Sequence, residues 1–255
     1  SSIATLALEA NVSEPTVNRF CRSMDTRGFP DFKLHLAQSL ANGTPYVNRN
    51  VDEDDSVESY TGKIFESAMA SLDHVRQSLD NAAVNRAVDL LTQAKKIAFF
   101  GLGSSAAVAH DAMNKFFRFN VPVIYSDDIV LQRMSCMNCS DDDVIVLISH
   151  TGRTKSLVEL AQLARENDAM VIALTSPGTP LAREATLAIT LDVPEDTDIY
   201  MPMVSRLAQL TVIDVLATGF TLRRGAKFRD NLKRVKEALK ESRFDKELLI
   251  KSDDR

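Results

Sequence analysis

Tryptophan is absent from this 255-residue chain, cysteine occurs three times and histidine four times. Each scarcity narrows what the molecule is. Cys21, Cys136 and Cys139 are too few and too unevenly spaced to frame a disulfide-stapled domain, so the fold must rest on a hydrophobic core. His35, His74, His110 and His150 are dispersed and form no metal-ligand spacing, so neither a metal site nor a cofactor is expected. No stretch approaches the roughly 18 to 20 uncharged apolar residues of a membrane helix, and the first twenty residues lack the layout of a secretion signal. A cytoplasmic protein with no membrane partner is expected. A net charge of −5 excludes a globally basic coat for nucleic acid and leaves room only for a local basic face.

What is present is ordinary globular stock, 45% hydrophobic and 25% charged, enough for one sizeable core and a smaller unit. The first forty residues have helical periodicity. Ile3, Leu6, Ala7 and Ala10 form one stripe, and Val17, Phe20, Cys21 and Met24 form a second that should face inward. Asn11 suits a tight turn between two short helices, Ser13 suits the cap of the second, and Pro15 fits its first turn. Asp31 to Leu40 reads as a third helix. Residues 42–56, with Asn42-Gly43-Thr44-Pro45 and the acidic run Asp52-Glu53-Asp54-Asp55, read as a solvated linker. Helices are expected from about Val57 to Leu79 and from about Ala83 to Ala94.

From Lys95 the pattern changes to short β-branched and aromatic runs: Ile97–Phe100, Val121–Tyr125, Val144–Ile148, Met170–Thr175 and Leu187–Leu191. Helices begin between them near Ser104, Asp128, Thr154 and Pro180. Strands alternating with helices imply right-handed crossovers, so the fold class is α/β with a five-stranded, doubly wound parallel sheet after a small all-helical segment. An apolar helix from about Met203 to Leu222 and a charged one from Lys227 to about Arg243 should follow. The divisions are 1–42, a helix-turn-helix segment; 43–80, linker and connecting helix; 81–225, the α/β domain; and 226–255, a C-terminal helix and tail.

Two loops carry the chemistry. Phe100-Gly101-Leu102-Gly103-Ser104-Ser105-Ala106 ends a strand in a glycine turn and opens a helix, where free amides hold anions and glycine admits a phosphate to the backbone. Read as G-x-G-x-x-A it also fits a dinucleotide fingerprint, with Asp127 or Asp128 as the ribose-binding acid, or a plain tight turn. Ser149-His150-Thr151-Gly152-Arg153-Thr154-Lys155 follows the third strand; its three hydroxyls suit a phosphate, although Ser149 and Thr154 also suit turn and cap positions. Two such loops on one sheet are expected to line one crevice, and a dinucleotide would leave the second unexplained.

Elsewhere the signals are plainer. Cys136 and Cys139 have the spacing of a redox pair but lie toward the end of an apolar helix, so structural thiols are expected. Residues 221–243 hold nine basic and three acidic side chains, read as a solvated helix rather than a nucleic-acid stripe. Glu195 is the nearest carboxylate for proton transfer, yet nothing beside it tunes a base. In the opening helices Thr16, Asn18, Arg19 and Arg22 lie opposite the apolar stripe and are types that reach phosphates and base edges, although residues 1–40 balance four basic against four acidic side chains, and an ordinary αα-hairpin fits the pattern as well.

Gly101-Leu102-Gly103-Ser104-Ser105 and Ser149-His150-Thr151-Gly152-Arg153-Thr154 resemble the two phosphosugar-binding loops of the sugar isomerase (SIS) domain. The departure is His150-Thr151, where most members carry serine. Val12-Ser13-Glu14-Pro15-Thr16-Val17-Asn18-Arg19-Phe20-Cys21-Arg22 and Gly28-Phe29-Pro30-Asp31-Phe32-Lys33 resemble the DNA-binding domain of RpiR-family transcription factors, in which an SIS domain follows. The resemblance implies a flavodoxin-like sheet and a homodimer or higher homo-oligomer that binds operator DNA and catalyses nothing. It implies an effector that is a phosphorylated sugar acid, 2-keto-3-deoxy-6-phosphogluconate, whose binding releases DNA. The implied effector contacts are Gly103, Ser104, Ser105, Ser149, His150, Thr151, Gly152, Arg153, Thr154 and Lys155; the implied DNA contacts are Ser13, Thr16, Asn18, Arg19, Arg22 and Lys33. Because the chain opens on Ser1 and the family's DNA-binding domain has earlier helices, a preceding segment is expected. The alternative is an SIS-family phosphosugar isomerase using Glu195 or His150.

Overall fold

Alternation along the strands decides the architecture of the larger part of this molecule. The computed structural model describes residues 2–24, 26–33, 50–198 and 201–240. The chain divides into two compact units, Ser1–Ser67 with Asp196–Met201, and Ala68–Glu195 with Pro202–Arg255.

In the first unit, α1 (Ile3–Glu9) and α2 (Glu14–Ser23) are joined by a turn in which Asn11 takes φ 51°, the left-handed conformation expected of it. Ser2 caps α1 by accepting from the Thr5 amide. Ala7, Val17 and Cys21 form the core, with Ile3, Leu6, Phe29 and Phe32 packed around it. The expected inward stripe is only half right: Phe20 and Met24 are 53% and 55% exposed. At 100° per residue Val17 and Cys21 point the same way, while Phe20 is turned to the flank and packs edge-on against Phe32. Ser13 occupies the N-cap of α2, but its hydroxyl bonds that of Thr16 rather than an amide. The next helical segment starts at 29, two residues earlier than expected because Pro30 is accommodated in a first turn; residues 34–40 of that expectation, and 42–49 of the linker, lie outside the described residues.

The acidic run is not simply solvated. Lys63, on α3 (Val57–Ser78), places its ammonium 3.1 Å from Asp52 and 2.6 Å from Asp55. Ser59 and the Asp52 amide also donate to Asp55, and the Lys63 hydrogen bond, followed by that of Ser59, brings the Asp55 carboxyl down to about 2.

The second unit contains β1 (Lys96–Gly101), β2 (Val123–Ser126), β3 (Asp143–Ser149), β4 (Met170–Thr175) and β5 (Leu187–Thr190). All pairs are parallel, in the order β2-β1-β3-β4-β5. The strand expected from Val121 begins at Val123, because Pro122 has no amide to enter the ladder and contributes only its carbonyl, to Ile97. Ile97, Phe99, Val144, Val146 and Ile148 face one layer, made by α4 (Asn81–Gln93), α5 (Ser104–Phe116) and α9 (Val204–Lys240). Ala98, Phe100, Ile145 and Leu147 face the other, made by α6 (Ile129–Met137), α7 (Lys155–Glu166) and α8 (Pro180–Glu184). Both faces of β3 are buried, which is why its sequence is continuously apolar.

The two C-terminal helices expected as separate elements are both present within α9, divided by a break at Gly225, where φ is 78° and ψ −166°; residues 241–243 of that expectation lie outside the described residues. Phe220 before the break and Phe228 after it lie 5.8 Å apart, and the Arg224 guanidinium sits 5.5 Å from each ring centre. These rings hold the second half to the first, so the chain turns without leaving the core. Among the described residues no helix is long and apolar enough to cross a membrane.

Candidate functional site

Parallel strands deliver their following loops to one edge of the sheet. β1 and β3 are neighbours, Gly101 is in register with Ile148, and β2 lies on the far side of β1, so the chain reverses its winding between β1 and β3. The crevice at such a switch point is where open α/β sheets take ligands.

The first loop is built by glycine. A Cβ on Gly101 would lie 2.6 Å from the Ser105 carbonyl oxygen, so only glycine lets β1 turn this tightly into α5. Gly103 then takes φ 57° as the N-cap of α5 and has no side chain with which to cap it. Ser104 and Ser105 are half-buried, and their hydroxyls have no hydrogen-bond partner among the described residues. The loop is held from behind by Gln132, whose amide donates to the carbonyls of Gly101 (3.2 Å) and Ser126 (2.7 Å); its Oε1 is buried without a partner among the described residues.

The second loop is framed more tightly. Ser149 ends β3, is buried, and accepts from the Gly152 amide at 3.2 Å. Gly152 has φ 57°, and a Cβ there would lie 2.5 Å from the Thr175 hydroxyl and closer still to that of Thr179. Thr151 accepts from the Arg153 amide at 3.4 Å. Thr154 is the N-cap of α7, but its side chain makes no capping bond. Arg153 and Lys155 are exposed. His150 Nε2 lies 3.2 Å from the Glu195 carbonyl, which only accepts, so that nitrogen carries the proton and Nδ1 takes the Ser176 hydroxyl at 3.4 Å. Its ring therefore ties three loops together, and both of its nitrogens are engaged.

The free helix ends stand out against the other helices of this unit. Asp80 caps α4, Asp128 caps α6 and Thr179 caps α8, each with a side-chain oxygen on a backbone amide. Glu195 caps α9: Oε1 accepts from the Met203 and Val204 amides at 2.8 and 2.7 Å, and Oε2 from the amide and hydroxyl of Ser205. Only α5 and α7, the helices following β1 and β3, lack such a cap among α4 to α9. Backbone carbonyls take the amides of Ser105, Ala106 and Leu157, so α5 presents the Ser104 amide, α7 those of Lys155 and Ser156, and each the positive end of its dipole to an anion.

Several sequence expectations change role here. The carboxylate weighed as a catalytic base, Glu195, is occupied in capping. Asp128, weighed as a ribose-binding acid, is occupied likewise. Cys136 is buried and its thiol is pushed up to about 12, chiefly by that burial, which suits a structural thiol. Sequence reasoning missed Thr175, Ser176 and Thr179, which hold Gly152 and His150. The signal was available, since Thr175-Ser176-Pro177-Gly178-Thr179 after β4 repeats the hydroxyl-and-glycine pattern of the second loop.

In the first unit, Arg19 and Arg22 are exposed on α2, and Arg19 donates to Thr16 at 3.3 Å, continuing a chain of contacts from Ser13. Lys33 is exposed. Asn18 is turned to another task. Its Oδ1 accepts from the Phe29 amide at 3.1 Å and fixes the turn at Gly28, where φ is 145°.

Two layers of helix around a parallel sheet, uncapped helix ends at the switch point, and a helix-turn-helix in a separate unit define a ligand-binding domain joined to a DNA-binding one. The SIS domain model matches residues 90–219, and the model of the helix-turn-helix domain, rpiR family, matches residues 1–43. The chain belongs to the RpiR family of helix-turn-helix transcriptional regulators with an SIS domain. It is 94% identical over its whole length, covering 88% of that protein, to the HTH-type transcriptional regulator HexR of Escherichia coli (strain K12). It is 57% identical to HexR of Pseudomonas aeruginosa over 95% of this chain and 85% of that one. The solved structure of the Vibrio vulnificus NanR protein complexed with ManNAc-6P matches with a TM-score of 0.67 and 25% identity, over 96% of this chain and 88% of that one. Both HexR proteins are named as transcriptional regulators, and this chain is a regulator of the same family.

The cap on α9 leads to a stability prediction. Glu195→Ala strips partners from three backbone amides and a hydroxyl, so urea denaturation should record a loss of about 1 to 3 kcal/mol. An unchanged midpoint would show that the carboxylate does not support α9.

Proposed function

We propose that the SIS domain senses a phosphorylated sugar acid, 2-keto-3-deoxy-6-phosphogluconate, and that its binding releases the protein, acting as a cytoplasmic homodimer or higher homo-oligomer, from operator DNA. The observation that carries this reading is the pair of uncapped helix ends at the β1–β3 switch point. A phosphate brings two or nearly two negative charges and several acceptor oxygens, which is what free amides, helix dipoles and hydroxyl donors lack as partners. Ser104, Ser105, Ser149, Thr151 and Thr154 supply hydroxyls, and Gly103 and Gly152 admit the phosphate to the backbone. Arg153 and Lys155 supply positive charge for the sugar acid's carboxylate, while His150 frames the loop. A neighbouring fold that holds a phosphorylated sugar, NanR with ManNAc-6P, supports the ligand class.

On the DNA side, Ser13, Thr16, Arg19, Arg22 and Lys33 form the contacting set, with Asn18 fixing the turn beneath them. Release requires the effector to prefer one arrangement of the protein over the DNA-bound one. A 100-fold loss of operator affinity corresponds to about 2.7 kcal/mol of coupling, and the operator must then weaken effector binding by the same factor.

Two experiments test the reading. Ser104→Ala or Thr154→Ala removes a donor to a charged phosphate, worth about 1.5 to 3 kcal/mol, so calorimetric affinity for the sugar acid should fall about 10- to 150-fold. Unchanged affinity overturns the site. In gel shifts over a range of salt, Arg19→Ala or Arg22→Ala should either relax specificity at one base pair, at about 1 to 3 kcal/mol, or weaken all sequences alike and flatten the salt slope by about one unit. Binding identical to the parent's at every salt concentration overturns the role of α2.

A further inference from the structure

Glu195 is the last residue of the α/β unit before the chain leaves it. Asp196–Met201 belongs to the unit that carries the helix-turn-helix, and the chain is back in the α/β unit at Pro202, just before α9 begins. One side chain closes the base of this excursion. The Glu195 carboxylate, on the outgoing side, accepts from the amides of Met203, Val204 and Ser205 on the returning side at 2.8, 2.7 and 3.1 Å, and from the Ser205 hydroxyl as well. With its base closed in this way, the excursion cannot shift at one end alone. A displacement of Glu195 is passed both to the start of α9 and to a segment that belongs with the DNA-binding unit.

The residue that holds Glu195 from the other side lies in the second anion loop. His150, between Ser149 and Thr151, donates from Nε2 to the Glu195 carbonyl at 3.2 Å. Its ring is backed from behind, because Nδ1 accepts from the Ser176 hydroxyl at 3.4 Å and the Ser176 amide donates to the His150 carbonyl at 3.0 Å. The imidazole is thus a short strut whose position follows the loops after β3 and β4. Its acceptor is a main-chain carbonyl, so a shift of the strut acts on the course of the chain and not on a side chain that could swing away. A ligand that draws Ser149, Thr151 and Thr154 onto itself carries His150 with them, since it is their neighbour in the loop. We infer that Glu195 is the positioning residue through which effector occupancy reaches the DNA-binding unit: His150 transmits the state of the anion loop to the Glu195 carbonyl, and the Glu195 carboxylate sets the excursion and the start of α9 accordingly. The inference rests on the sensor reading above and gives it a route. Such a route needs one element that both sites bias, and the clasped excursion is that element.

The test separates coupling from binding. Fluorescence anisotropy gives operator affinity without effector and at saturating 2-keto-3-deoxy-6-phosphogluconate; the ratio of the two is the coupling factor, and calorimetry gives effector affinity independently. Glu195→Ala unclasps the excursion and leaves both anion loops intact, so effector affinity should stay within about threefold of the parent's while the coupling factor falls at least about tenfold. His150→Phe keeps a ring but removes both nitrogens and should lower the factor alike. His150→Gln returns an N–H donor toward the Glu195 carbonyl and should restore most of it. Loss of stability alone lowers the active fraction of protein and leaves the ratio unchanged. Coupling at the parent's value in Glu195→Ala or His150→Phe, or a His150→Gln variant as uncoupled as His150→Phe, overturns the route and leaves the sensor standing. A parent protein whose operator affinity ignores saturating sugar acid overturns both.

Discussion

Every α-helix begins with backbone amides that have no partner within it, and the way each helix of the α/β unit meets that demand organises the site. Where the chain supplies its own oxygen, as Asp80, Asp128, Thr179 and Glu195 do, the helix end is closed. Where it places Gly103 and an unengaged Thr154 instead, the end is left for something brought from outside. Both open ends follow adjacent parallel strands, so they lie at the same edge of the sheet. Doing without a side-chain cap costs the protein on the order of 1 kcal/mol at each of these ends, which an anion bound there would offset.

The same logic separates a sensor from an enzyme within one architecture. A proton-transfer base needs a carboxylate free to reach substrate. Here the carboxylate nearest the site is spent on holding α9, and the histidine beside it is spent on joining the loop after β3 to the loop after β4 and to the stretch after β5. The site is thus rich in anion donors and framed by groups that hold it still. Under the sensor reading proposed above, a ligand held by these loops would favour one arrangement of the protein over another, which is all that regulation by population shift requires.

Much of this was legible in the sequence because the relevant forces are local. Met170–Thr175 was readable to the residue, and the starts of α5 and α8 at Ser104 and Pro180 likewise, since β-branched runs and cap residues carry their own signal. What the sequence hid depends on partners distant along the chain. Glu195 reads as the nearest carboxylate for proton transfer until the fold brings the amides of residues 203–205 onto it. The acidic run reads as solvated until Lys63, a turn into the next helix, turns back onto Asp55. Phe20 and Met24 look like core by spacing, but a three-helix cluster as small as this one has room inside for Val17 and Cys21 alone on α2.

The claim that the uncapped helix ends are the effector site is tested most directly by closing one of them. Thr154 has φ −66° and ψ 108°, close to the −72° and 101° of Asp80 and the −86° and 120° of Asp128, so aspartate fits there as it does at the other two caps. In Thr154→Asp the introduced carboxylate would satisfy the α7 amides from within and repel an incoming phosphate. Isothermal titration with the phosphorylated sugar acid should then register no binding, while the melting temperature of the unliganded protein holds or rises. Binding by this variant as tight as the parent's would contradict the account.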